Sequence, residues 1–190
     1  MLEISPFIDV FGWNKIVGEK NKKINIVTIS YGGVVNATWN LTLKTELDFN
    51  DNFINFDEYD GIIIPGGFGI SGFFEDIKKE SFQKLLKKYS SENKIIIGIC
   101  TGVIALGEAG ILNGKKATTY FLDNKRYFNQ LEKFGAFGVE KTIVRDENIF
   151  TTANPESALK MAFILLEILT SRENMEKVAF NMGYKIKDEI

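Results

Sequence analysis

The chain has one cysteine and no histidine. Cys100 stands in Gly98-Ile99-Cys100-Thr101-Gly102, directly after the apolar run of residues 94–99 (KIIIGI) and before a helical pattern over 101–110. A strand, a tight turn and a helix in that order form an elbow that presents a nucleophile above the carboxyl end of a sheet. Glycines two residues either side of Cys100 are expected to let the backbone through that turn. A thiol at a helix N-terminus faces the positive end of the dipole. That favours the thiolate and predicts a pKa below the unperturbed ~8.5. The N–H of Thr101 points into the same space, as an oxyanion donor would. The glycine-rich loop 65–69 (PGGFG) also follows a buried run, 61–64 (GIII), so the N–H of Gly67 is a second candidate donor beside Cys100. The loop lacks the Gly-Lys-Ser/Thr of a phosphate loop.

The missing histidines exclude Cys-His and Ser-His catalysis and histidine-based metal sites. Chemistry on this chain therefore runs on Cys, Asp, Glu, Lys, Tyr, Ser or Thr. We expect no metal and no organic cofactor. The segment 48–59 resembles a calcium loop only superficially, because Phe53 fills the glycine position and Tyr59 the final acidic one. A single cysteine forms no intrachain disulfide, which fits a reducing compartment.

The elements that must hold this elbow follow from hydrophobic pattern. Residues 24–30 (INIVTIS), 61–64 and 94–99 read as buried strands, and 117–119 as another. Residues 34–35 and 41–44 suit a hairpin, as do 141–145 and 149–152 around Asp146-Glu147-Asn148. Amphipathic spacing predicts helices over 74–91 and 123–134. Asn154-Pro155 caps a buried helix over 157–169, and a last helix covers 172–182. The first helix begins near Pro6, with too few residues before it for the strand that normally opens such folds. Alternation of strands and helices predicts an α/β, doubly wound sandwich with a mostly parallel sheet, its first strand missing or a stub.

The chain has 190 residues, 45% hydrophobic, which suits one domain over 1–190. A net charge of −2 gives no basic surface for nucleic acid or for an anionic membrane. No apolar run spans a bilayer and no signal-peptide pattern opens the chain, so the expected location is cytoplasmic and the sequons at Asn36 and Asn40 stay unmodified.

Residues 62–67 (IIIPGG), 98–102 (GICTG), 110–119 (GILNGKKATT), 144–152 (VRDENIFTT) and the helix after them resemble the ThiJ/PfpI superfamily over about residues 3–182. The resemblance implies a flavodoxin-like, glutamine amidotransferase-like sandwich, usually homodimeric, with a cysteine on the elbow. It also implies a carboxylate partner for that cysteine from the start of the first helix. Residues 3–10 (EISPFIDV) match that segment, which assigns the partner to Glu3, with Asp9 as the alternative. Protease-like members carry His after the cysteine, where this chain has Thr101. Others carry His at the position of Tyr120. Cys-Thr-Gly is similar to the isonitrile hydratase branch and to the sensor half of AraC-type regulators, whose DNA-binding part is not expected in a chain of this length. The expected function is a cysteine-dependent small-molecule hydratase or lyase, isonitrile hydratase-like or glyoxalase-like, with Cys100 as nucleophile and Glu3 as acid/base. The alternative is a redox or electrophile sensor with an oxidisable Cys100.

Overall fold

The computed structural model describes residues 1–122 and 124–185. Its elements are, in chain order, α1 (Ser5–Val17), β1 (Ile29–Ser30), β2 (Val34–Asn36), β3 (Thr42–Lys44), β4 (Leu47–Asp48), β5 (Gly61–Ile64), α2 (Phe73–Asp76), α3 (Glu80–Ser91), β6 (Ile95–Ile99), α4 (Val103–Glu108), β7 (Lys116–Ala117), α5 (Gln130–Lys133), β8 (Phe137–Gly138), β9 (Ile143–Asp146), β10 (Ile149–Thr152), α6 (Ser157–Leu169) and α7 (Arg172–Asn181). They fall into two compact units, one of Met1–Ile54 with the chain from Ala158 onward, the other of Asn55–Ser157.

The first unit is built on α1 and α7. Pro6, Phe7, Val10 and Phe11 form the buried face of α1, and Met175, Val178 and Ala179 that of α7. Between these apolar rows sits a polar pair that is fully buried, Asn14 and Asn174. Asn174 Nδ2 donates to Asn14 Oδ1 (2.8 Å), Asn14 Nδ2 donates to the Lys22 carbonyl (2.8 Å), and the Glu19 N–H donates to Asn174 Oδ1 (2.8 Å). Buried amides tolerate an apolar setting only when satisfied in this way. Residues 1–4 form a turn, with the N–H groups of Ile4 and Ser5 on the Met1 carbonyl (both 3.1 Å). No strand precedes α1, as expected. The hairpin of β2 and β3 is present, Val35 opposite Leu43.

The strand expected over 24–30 shrinks to β1. A run of apolar residues becomes a strand only where a partner supplies a ladder. Here the parallel partner β4 is two residues long, Ile29 opposite Leu47 and Ser30 opposite Asp48. One step earlier the ladder is replaced by side chains: the Thr28 N–H donates to Glu46 Oε1 (3.2 Å) and the Glu46 N–H to Thr28 Oγ1 (3.1 Å).

The second unit carries a four-stranded sheet in the order β5-β6-β10-β9. β5, β6 and β10 are parallel and β9 is antiparallel at the edge. This is the α/β architecture with a mostly parallel sheet that the alternating pattern predicts. Ile96, Ile97 and Ile99 are fully buried, as a central parallel strand requires. The carboxyl ends of the three parallel strands share one edge, where Ile64 lies opposite Gly98 and Thr152 opposite Ile99. β7 and β8 form a separate parallel pair.

The crossover from β5 to β6 runs through α3, which buries Leu85, Leu86 and Tyr89. The Tyr89 hydroxyl donates to the Phe56 carbonyl (2.7 Å). Burial pushes that phenol up to about 12. The helix expected over 74–91 is broken at Lys79, which is extended (ψ 132°), leaving α2 as a single turn. The helix expected over 123–134 reduces to α5. Asn124 and Lys125 are left-handed (φ 54° and 57°), which an α-helix cannot accommodate. Asp123 lies outside the described residues. Helix α6 starts as predicted: the Ser157 N–H donates to Asn154 Oδ1 (3.0 Å).

Candidate active site

Cys100 follows the last residue of β6 and opens a single tight turn, Cys100–Gly102, from which α4 continues. Its φ is +52°, left-handed for a residue with a side chain. Such a conformation costs of order 1–3 kcal/mol and persists only where its surroundings enforce it. This corrects the expected role of the flanking glycines. Neither Gly98 nor Gly102 has a positive φ; the strain is carried by the cysteine itself.

The glycines serve close approach instead. A Cβ on Gly102 would lie 2.2 Å from the Ile64 carbonyl oxygen, and one on Gly98 would lie 3.0 Å from the Cα of Val103. Gly102 thus lets the elbow sit directly on the end of β5, and Gly98 lets α4 fold back onto β6. The helix after the elbow has six residues and begins three residues after Cys100. Its field at the sulfur is smaller than a long helix starting at Thr101 would supply.

Two threonines fix the elbow. The Thr101 hydroxyl donates to the Gly67 carbonyl (3.0 Å), and the Gly67 N–H donates to Thr101 Oγ1 (3.0 Å). This pair of hydrogen bonds staples the glycine-rich loop to the residue after Cys100. It joins the predicted residues Gly67 and Thr101 beside Cys100. It also engages the Gly67 N–H, so Gly67 serves an oxyanion only by exchanging that bond for one to substrate. Gly67 must be glycine because the Phe73 ring occupies its side-chain position, 2.6 Å from where a Cβ would stand.

The second threonine is Thr119, which sequence reasoning did not single out. Fully buried, its hydroxyl donates to the Cys100 carbonyl at 2.6 Å. The same carbonyl also accepts from the Val103 N–H. Thr119 is itself anchored: the N–H of the preceding Thr118 donates to Thr151 Oγ1 (2.9 Å) in the middle of β10. The sheet therefore holds the 118–119 segment, and that segment holds the strained residue. The available signal was the polar pair Thr118-Thr119 directly after the two-residue strand β7, where two buried hydroxyls need a reason.

Cys100 is a thiol outside any disulfide and is 9% exposed. A buried, strained thiol at the carboxyl edge of a parallel sheet can attack a small electrophile that reaches it. Glu3 lies in the turn before α1, half-buried, in the other unit, whereas Asp9 is exposed on α1.

A family model described as the DJ-1/PfpI family matches residues 9–168. Isonitrile hydratase of Pseudomonas putida is 29% identical over 150 residues, 79% of this chain and 61% of that protein. The deglycase PfpI of Pyrococcus furiosus is 27% identical over 124 residues, 65% of this chain and 69% of that one. The chain thus spans about six tenths of the length of isonitrile hydratase. A crystal structure of a ThiJ/PfpI family protein from Pseudomonas syringae superposes with a TM-score of 0.78 at 20% identity, covering 100% of this chain and 72% of that one. That likeness establishes the α/β fold, and no described helix is long and apolar enough to cross a membrane. With a family model spanning most of its length, the chain belongs to the DJ-1/PfpI family.

Proposed function

We propose that this protein is a cysteine-dependent hydratase or lyase for small electrophiles, with Cys100 as nucleophile and Glu3 as acid/base. The observation that carries the reading is the strained elbow: Cys100 at φ +52° after a central parallel strand, its carbonyl held by the buried Thr119. Similarity to isonitrile hydratase and to a deglycase supports the class of substrate, an isonitrile or a reactive carbonyl. Glu3 is preferred to Asp9 because it is half-buried in the turn before α1, whereas Asp9 is exposed on the helix.

For an isonitrile the steps balance as follows. The thiolate forms an S–C bond at the terminal carbon, and the Glu3 carboxyl delivers its proton to that carbon, giving a thioimidate. Water adds across the C=N bond, oxygen to carbon and hydrogen to nitrogen. The adduct collapses as the C–S bond breaks, the hydroxyl proton returns to Glu3, and an N-substituted formamide leaves with the thiolate restored. The N–H of Thr101, and that of Gly67 once it exchanges its bond to Thr101 Oγ1, stabilise negative charge that develops on the adduct.

Turnover of isonitriles and α-oxoaldehydes by the intact protein tests the proposal, with Cys100→Ser as control. Product formation that disappears in the variant supports it, and no turnover of either class overturns the enzymatic reading. A redox or electrophile sensor would then be read from Cys100 itself, as mass gains of oxygen after mild peroxide that dithiothreitol reverses at the first step. We also read the protein as one domain, homodimeric and cytoplasmic, binding neither nucleic acid nor membrane. A monomer mass by light scattering at micromolar concentration would remove the dimer.

A further inference from the structure

We propose that a row of four aromatic rings beside Cys100 makes the site selective for electrophiles carrying a flat aryl group. The inference rests on the reading of Cys100 as a nucleophile and names the substrate class that reading leaves open. Contacts within one unit form a closed circuit that begins and ends at the elbow. On one side Thr101 bonds Gly67, and the Phe73 ring lies against the face of Gly67. Phe73 meets Phe74 edge-on (centroids 5.2 Å, interplanar 72°), and Phe74 stacks on Tyr127 (5.9 Å, 21°). Tyr127 then meets Tyr120 edge-on (6.5 Å, 65°). Tyr120 directly follows Thr119, whose hydroxyl returns the circuit to the Cys100 carbonyl.

Three features separate this row from ordinary core. All four rings are half-buried, whereas the apolar side chains of β6 beneath the elbow, Ile96, Ile97 and Ile99, are fully buried. The row joins the two loops that bond to the elbow, one through Gly67 and Thr101 and the other through Thr119 and the Cys100 carbonyl. Two of its rings carry further contacts: the Arg126 guanidinium lies 5.4 Å from the centroid of Tyr127, and Gly67 accommodates Phe73 with no side chain of its own. Flat faces and ring edges interact best with another ring, by offset stacking and edge-to-face contact. The loop beside them adds apolar surface, with Phe68 55% exposed and Ile70 fully exposed.

The test uses two maleimides that differ in one substituent, N-phenyl and N-ethyl, on the whole protein. The thiol adds across the C=C bond, sulfur to one carbon and the thiol proton to the other, and nothing leaves. The ratio of second-order rates, phenyl over ethyl, is divided by the same ratio for free cysteine to remove intrinsic reactivity. One ring–ring contact is worth about a 2- to 10-fold preference, so the normalised ratio should be about 2–10. Phe74→Leu and Tyr127→Leu should each bring it towards 1, while Tyr127→Phe should keep it, which also guards against a leucine variant that fails to fold. A normalised ratio near 1 in the parent, or one unchanged in both leucine variants, overturns the aromatic selection and leaves the nucleophile reading standing. Rates below that of free cysteine with both reagents overturn the nucleophile reading, and this inference with it.

Discussion

Replacing Thr119 with valine removes one hydroxyl while leaving the volume almost unchanged. That hydroxyl is fully buried and donates to the Cys100 carbonyl at 2.6 Å. The carbonyl keeps its bond from the Val103 N–H, so it is not orphaned. The loss is therefore that of one net hydrogen bond, about 0.5–1.5 kcal/mol, rather than a full desolvation penalty. In a chain of this size such a loss lowers Tm by roughly 1–6 °C. The effect on Cys100 should be larger in proportion. Holding a residue with a side chain at φ +52° costs on the order of 1–3 kcal/mol, comparable to the bond removed. Relaxation of the elbow in Thr119→Val is expected to slow alkylation of Cys100 about 3- to 10-fold, since ~1.4 kcal/mol is a factor of ten. Thr119→Ser keeps the donor and should stay near the parent in both respects. Stopped-flow alkylation with iodoacetamide, alongside differential scanning calorimetry, reads the two effects separately. The reasoning is refuted if the valine variant alkylates at the parent rate, or if serine slows it as much as valine does.

Three further outcomes are expected. Asn174→Ala leaves the Glu19 N–H and Asn14 Oδ1 without their partner in a buried setting and should cost about 2–4 kcal/mol in urea unfolding. Asn14→Ala should cost less in the Asn174→Ala background than alone, because the two act as one network. Tyr89 has its phenol pushed up to about 12 by burial, so the unfolded chain loses that proton first as pH rises. Its contribution is complete below pH ~10 and lost between ~10 and ~12, an upper bound of roughly 2–3 kcal/mol. The alkaline fall in stability should therefore be shallower in Tyr89→Phe when both are followed by urea unfolding at stepped pH. Glu3→Gln should fold and should slow alkylation of Cys100; identical pH–rate curves for variant and parent would exclude Glu3 as its partner.

Much of this was legible in the sequence because the signals were local. Residues 95–99 and 61–64 are isoleucine-rich runs ended by Cys-Thr-Gly and Pro-Gly-Gly, and they form the neighbouring parallel strands β6 and β5. Asn154-Pro155 set the start of α6 through a cap that involves only neighbours in sequence. What was not legible depended on partners far along the chain. Residues 24–30 have strand composition, but only two of them meet a strand, and the pairing is with residues 47–48. The helix expected from residue 123 fails because Asn124 and Lys125 adopt a left-handed conformation that hydrophobic spacing does not register. At the site, the glycines around Cys100 make room for Ile64 and Val103, and the cysteine itself takes the strained angle that the pattern suggested for them. Thr119 was missed because its hydroxyl acts on a residue nineteen positions away.

The central claim is that Cys100 is a nucleophile rather than a small residue filling the core. Its most direct test is the second-order rate of iodoacetamide labelling of the native protein at pH 7, compared with a free model thiol and with Cys100→Ser as the blank. Cys100 should label faster than the free thiol, and the variant should not label. Labelling no faster than the free thiol would contradict it, because a thiol that is 9% exposed and held on a strained elbow would then have gained nothing from its position.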